Sequence, residues 1–233
     1  MAVSGSNNFN QTEETIIKDA LSLCGGLEDD ETPTAEQQAY ARRALNRMVK
    51  AFSRRGLKAW CWNEVTLPLV AAQASYSIGP TATDLVSERP LEVRDVRKVS
   101  SGSEETPVRI YSRSEYMNQP NKTSTSEPIA VYYDPQLGNG RLYVWPSPIS
   151  GYSLKFSVQQ YIEDFDAASN EPYFPVEWLE ALVYNLAVRL CPKYEVRGEE
   201  LQMLRVQAAE YLADAEHGDA EHGSLYLSPE SYY

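Results

Sequence analysis

Apolar residues in this chain recur at helical spacing up to about residue 60, alternate from Trp62 to Ile162, and return to helical spacing after Pro172. A helix face and a pleated strand need different periods, so neither kind of segment can adopt the other's structure. The two ends must build helices and the middle must build strands. That order predicts an α+β fold. A discontinuous helical bundle, residues 1–62 and 165–217, carries an inserted antiparallel β-sandwich or barrel-like domain, residues 63–164. An extended C-terminal arm, residues 218–233, follows.

The first helix is expected to take Asn10 as its cap, with Glu13 three residues on, and to bury Ile16, Ile17, Ala20, Leu21 and Cys24 before Gly25-Gly26 stops it. Thr34 and Gln37 have capping-box spacing for a longer second helix ending near Gly56. Ala41, Leu45, Met48, Val49 and Phe52 share its core face, and Arg43, Arg47, Lys50 and Arg54 fall on the opposite one. After the β block, Pro175 suits a first turn. Trp178–Leu190 is almost wholly apolar and must be covered on several sides. A last helix, about Gly198–His217, places Leu201, Leu204, Ala208, Tyr211, Leu212 and Ala215 on one face.

Seven strands are expected in the middle, near Val65–Leu69, Ser75–Ile78, Leu91–Val99, Val108–Tyr111, Ile129–Tyr133, Leu142–Trp145 and Tyr152–Tyr161, with a helical turn at Ser114–Asn118. Asp134–Gly140, rich in Pro, Gly and Asn, reads as a hairpin turn. In the last strand Tyr152, Leu154, Phe156 and Val158 alternate with Ser153, Lys155, Ser157 and Gln159, which predicts one buried face.

Charge narrows the function. With 21 basic and 33 acidic residues among 233, the net charge of −12 argues against a static, sequence-reading DNA binder, which needs positive charge to displace counterions. No uncharged apolar run is long enough to span a bilayer, and Met1–Asn10 lacks the pattern of a signal peptide, so synthesis in the cytoplasm and no membrane contact are expected. Cys24, Cys61 and Cys191 have no paired spacing and are expected to be reduced and buried. Sixteen tyrosines and four tryptophans favour strands and interfaces, hence assembly.

Motifs for chemistry are sparse. The chain has no glycine-rich phosphate loop, no nucleophile elbow and no His-Glu-x-x-His helix. Glu216, His217, Glu221 and His222 could in principle hold a divalent metal, but a histidine before glycine at a helix end is ordinary end chemistry, so neither a metal nor a cofactor is assigned. An acid pair for glycoside cleavage cannot be picked from so many carboxylates. No catalytic residue is assigned, and the expectation is a non-enzyme.

Local charge is more informative. Glu36–Lys58 holds seven bases against one acid, +6, whereas Glu195–Glu221 holds eight acids against two bases, −6. The stripe Arg43, Arg47, Lys50, Arg54 is open to three readings: a solvated face, a DNA-facing surface, or a contact for the acidic helix of a neighbouring subunit carrying Glu199, Glu210 and Asp214. Opposite charges on one chain permit head-to-tail rings. The DNA reading would suit a bacterial regulator. The terminal Leu225, Tyr226, Leu227, Tyr232 and Tyr233 belong either to a frayed end or to an arm that orders on a partner.

The Glu31-Thr-Pro-Thr34 linker between the opening helices, Gln73-Ala-Ser-Tyr-Ser-Ile-Gly79, Arg89-Pro-Leu-Glu-Val93, Glu127-Pro-Ile-Ala-Val-Tyr-Tyr-Asp-Pro135, Leu142-Tyr-Val-Trp-Pro146, and Glu180–Leu190 followed by Tyr194 occur in one order. In that order and spacing, over roughly residues 12–217, the chain resembles the head-to-tail adaptors of short-tailed bacteriophages, also called tail accessory factors or packaged-DNA stabilisation proteins. The resemblance implies a structural protein at the head–tail junction of the virion, assembled in the host cytoplasm. It implies a twelvefold homo-oligomeric ring beneath the portal protein that extends the DNA channel and helps retain DNA. DNA contact would be transient and independent of sequence. It also implies a platform for tail nozzle, tube or tailspike proteins. Residues 218–233 lie outside the resembling segments, and portal contact by the arm is expected from its own Leu225, Tyr226, Leu227, Tyr232 and Tyr233. A virion-associated cell-wall hydrolase is the alternative.

Overall fold

The computed structural model describes residues 9–28, 31–53 and 59–218. They fall into two compact units, one drawn from Met1–Ala59 and Ile162–Tyr233, the other from Trp60–Tyr161.

The first unit is helical. Helix α1 spans Glu13–Leu23 and α2 spans Ala35–Phe52. Two further helices, Leu179–Leu190 and Glu199–Gly218, return after the β segment. Because a short helix, Arg113–Met117, lies in the other unit and is numbered α3, these two are α4 and α5. Helix α4 is the hub and packs against α1, α2 and α5. Its apolar composition is satisfied by this covering: Leu182, Leu186 and Leu190 are wholly buried. Trp178, in the short 3₁₀ turn Val176–Trp178 that precedes α4, packs its ring against Phe52 and Phe174, with centroids 6.2 and 5.7 Å away.

Local signals set the helix starts. Thr34 Oγ1 accepts from the Gln37 backbone N–H at 3.3 Å and Gln37 returns its side-chain oxygen to the Thr34 N–H at 2.8 Å, closing the capping box. At α1 the cap is Thr12, not the expected Asn10. Asn10 instead donates to Glu171 at 2.9 Å, and the Glu13 N–H is taken by the Asn170 carbonyl at 2.8 Å. A long-range backbone bond thus replaces the local side-chain cap. Helix α2 ends at Phe52 with Ser53 as its C-cap, short of Gly56, which lies outside the described residues.

The second unit is built from strands. In chain order they are β1 Trp62–Pro68, β2 Ser75–Gly79, β3 Leu85–Val86, β4 Glu92–Val99, β5 Glu105–Pro107, β6 Arg109–Ile110, β7 Thr125–Ser126, β8 Ala130–Asp134, β9 Gly140–Trp145, β10 Ser147–Pro148 and β11 Ser153–Gln159. One sheet runs β1-β11-β4-β5, a second runs β3-β2-β9-β8-β6, and β10 pairs with β7. The two larger sheets share an apolar core that includes Leu67, Leu154, Phe156 and Val158 from the first and Tyr76, Ile78, Val131 and Leu142 from the second. Of the sandwich and the barrel-like forms expected, the sandwich stands, two sheets over one core, and no barrel closes: each sheet keeps its own edges. Nor is the unit purely antiparallel, since β2–β3, β6–β8 and β7–β10 are parallel pairs. These edge strands are two residues long, too short to carry a period.

A bulge sets the twist of β4. Lys155 pairs with Arg97 but Ser157 with Arg94, so Asp95 and Val96 together face the single residue between, and Asp95 takes φ +50°. Aspartate tolerates this left-handed backbone better than most residues do.

Candidate functional site

Helix α2 separates its basic residues by role. Arg43 and Arg47 are exposed. Lys50 is half-buried and turned inward: its Nζ donates to the Ile162 carbonyl at 2.8 Å and pairs with Asp164 at 2.9 Å. One turn earlier, Asn46 clamps the Phe165 backbone, giving to its carbonyl at 2.8 Å and accepting from its N–H at 2.9 Å. Asn46 and Lys50 therefore secure the chain where it re-enters the helical unit. Arg42 is also engaged, with Glu13. The outward stripe keeps Arg43 and Arg47 among the described residues, whereas Lys50 is a tie within the unit and Arg54 lies outside the described residues.

Glu199, Glu210 and Asp214 are all exposed on α5. The core face of that helix is Leu204, Ala208, Leu212 and Ala215, with Leu201 and Tyr211 half-buried. Two large apolar side chains, Met203 and Val206, stand in solvent on the far side. Tyr211 meets Tyr184 of α4 with ring centroids 4.8 Å apart, and burial raises the Tyr184 hydroxyl above its ordinary range. His217 is exposed, while Glu221 and His222 lie outside the described residues, as do Leu225, Tyr226, Leu227, Tyr232 and Tyr233. Among the described residues no group of three His, Cys, Asp or Glu side chains could hold a metal ion. Cys24, Cys61 and Cys191 are buried and reduced, and burial pushes the Cys24 thiol up to about 11, so it stays protonated near neutrality.

The β unit presents two distinct surfaces. On its four-stranded sheet, Glu64, Arg97, Glu105 and Lys155 alternate in sign: Arg97 bonds Glu105 at 2.9 Å and also Glu64, and Lys155 bonds Glu64 at 2.9 Å and Glu105 at 3.3 Å. Elsewhere, the β8–β9 turn projects Leu137, which is 98% exposed. The turn is braced. Asn139 Oδ1 accepts from the backbone N–H and hydroxyl of Thr81, both at 3.2 Å, and Arg89 reaches the Pro135 carbonyl. Gly138 takes φ +83°, which a residue with a Cβ adopts only under strain. Near the turn, three tyrosines pack ring on ring: Tyr116, Tyr132 and Tyr143 have centroids 5.2–5.7 Å apart.

The SU10 adaptor protein family model matches residues 14–226, and the chain belongs to that family. This agrees, at the level of an adaptor, with the resemblance carried by the segments from Glu31 to Tyr194. Among solved structures the chain is similar to one described as the neck of an empty GTA particle computed with C6 symmetry, at 15% identity, with 77% of this chain and 79% of that chain covered and a TM-score of 0.26. No curated protein matches the chain. Among the described residues no helix is long and apolar enough to cross a membrane.

Proposed function

We propose that this protein is a structural connector at the head–tail junction of a short-tailed bacteriophage. Copies form a ring beneath the portal protein, twelvefold to match it, that extends the DNA channel and carries the tail proteins. The observation that carries this reading is membership of the adaptor family over residues 14–226, and the helical unit offers self-complementary charge to go with it, bases on α2 and acids on α5. The net charge of −12 suits a channel that DNA must traverse without being gripped. The β unit, with Leu137 held out on its braced turn, supplies the platform for tail nozzle, tube or tailspike components. Residues 218–233 are the proposed portal-binding arm, with Leu225, Tyr226, Leu227, Tyr232 and Tyr233 as its anchors. Assembly takes place in the host cytoplasm.

The test is binding to portal. Native mass spectrometry of the chain mixed with the portal of the same phage is expected to show a closed ring of adaptor copies, and deletion of residues 218–233 is expected to lower its yield. A chain that never joins the portal would refute the proposal.

A further inference from the structure

On α2, Ala35, Ala39, Arg43, Arg47 and Ala51 form a single line at four-residue spacing, and every one of them is exposed. A line of this kind is the ridge that helices insert into grooves, here about 24 Å long at the usual helical rise. Its alanines let another surface come close, and its two arginines give it sign. Among the described residues nothing in the helical unit covers it.

The same unit also holds a groove. Helix α1 and helix α4 leave between them a depression of about 350 Å³, with Leu179 and Val183 on one side and Leu23 on the other. Its rim is acidic. Asp19 lines it from α1, where Gln11 Nε2 donates to its carboxylate at 2.9 Å, and Glu180 lines it from α4. Asp214 of α5 does not line the groove, but register brings it to the level of Glu180. Helices α4 and α5 run antiparallel, because Asn185 bonds the Ala208 carbonyl at 2.9 Å while Tyr184 meets Tyr211. Glu180, one turn before Tyr184, therefore stands level with Asp214, three residues beyond Tyr211. Tyr184 itself lines the groove.

We infer that the exposed ridge of α2 in one copy seats in the α1/α4 groove of the next, with Arg43 and Arg47 against Asp19 and Glu180. The occupant is a second copy because the ridge carries the sign and the groove the counter-sign on one chain. The two surfaces differ, so the contact is heterologous and propagates as a ring does. This deepens the ring reading and rests on it. It also moves the receiving surface from the outward face of α5, with Glu199 and Glu210, to the groove beside it.

The experiment is a charge swap read by sedimentation over a wide concentration range. Wild type is expected to associate with rising concentration. Arg43→Glu/Arg47→Glu and Asp19→Lys/Glu180→Lys are each expected to weaken association about tenfold or more, since like charges then face each other. An equimolar mixture of the two variants is expected to associate again, because each restores the sign the other lacks. No loss in the Asp19/Glu180 variant, or no recovery in the mixture, overturns the groove and leaves the ring reading standing. A wild-type chain that never associates overturns the pairing, while the portal test decides the adaptor reading separately. Circular dichroism of both variants checks that each is folded. Should the Asp19/Glu180 variant misfold, Glu180→Lys alone takes its place, because Glu180 is exposed.

Discussion

Arg42 Nε donates to Glu13 Oε1 at 2.7 Å, and the glutamate side chain is fully buried while the arginine keeps 30% of its surface. The pair joins α1 to α2. A buried carboxylate stripped of its cation is costly, because water is not there to replace it. Arg42→Met is therefore expected to lower stability by about 3 kcal/mol, measured by urea unfolding. Arg43→Met, one residue on and exposed, is expected to change it by less than about 0.5 kcal/mol. Equal effects at the two positions would show that Arg42 does not hold α1.

Within the basic stripe, the same contrast separates Lys50 from Arg47. Lys50→Ala removes the bonds to Ile162 and Asp164 and is expected to destabilise the helical unit by about 1 kcal/mol, discounted for its partial exposure. Arg47→Ala is expected to leave unfolding unchanged and to weaken self-association. The measurement is thermal unfolding beside sedimentation for each variant.

The charged lattice on the β unit makes a pH prediction. Hydrogen bonds from Lys155 and then Arg97 hold the Glu64 carboxyl below its ordinary value of 4.5. A lowered pKa adds stability above the ordinary value, and this is lost as pH falls through the folded value. Glu64→Gln is thus expected to melt below wild type at neutral pH, with the gap closing as the solution is taken below the usual carboxylate range. A gap that widens in acid would contradict the lattice.

How much of this could be read beforehand follows from the range of the forces involved. The core face of α2, from Ala41 to Phe52, and the Thr34–Gln37 box depend on neighbours within a turn or so, and both stand as expected. In β11, Leu154, Phe156 and Val158 are buried as the alternation required, but Gln159 is buried too, although the pattern placed it outside. Asn10 lost its cap because Asn170, 160 residues away, supplied the bond to Glu13 instead. Arg42, Arg43, Asn46 and Lys50 look alike as polar residues of one helix. Only Glu13 and the returning segment Ile162–Phe165 distinguish the structural ones, and no local pattern announces those partners. The braced Leu137 turn was legible as a turn, but its bracing by Thr81 was not.

Gly140, at the start of β9, leaves room for Tyr133. A Cβ there would stand 2.7 Å from Tyr133 Cε2, and the Tyr133 hydroxyl is already committed to the Pro90 carbonyl at 2.7 Å. Gly140→Ala is expected to cost about 1–3 kcal/mol through this overlap. Calorimetry reads it, and removal of the ring in Gly140→Ala/Tyr133→Leu is expected to relieve part of it.

Leu137 gives the opposite expectation. Leu137→Ser removes no internal contact and is expected to leave the melting temperature unchanged while reducing the capture of tail proteins on assembled particles. Undiminished tail attachment would remove Leu137 from the proposed platform.

The β segment leaves the helical unit and returns to it through strands that lie side by side, since Trp62 of β1 is paired with Gln159 of β11. A pull on the β unit is therefore borne by two covalent tethers at once. Neither strand can slide along the other to relieve it, because both lead back to the same helices. In the platform role proposed above, that is the difference between a hinge pin and a strap: force on the unit divides between two strands.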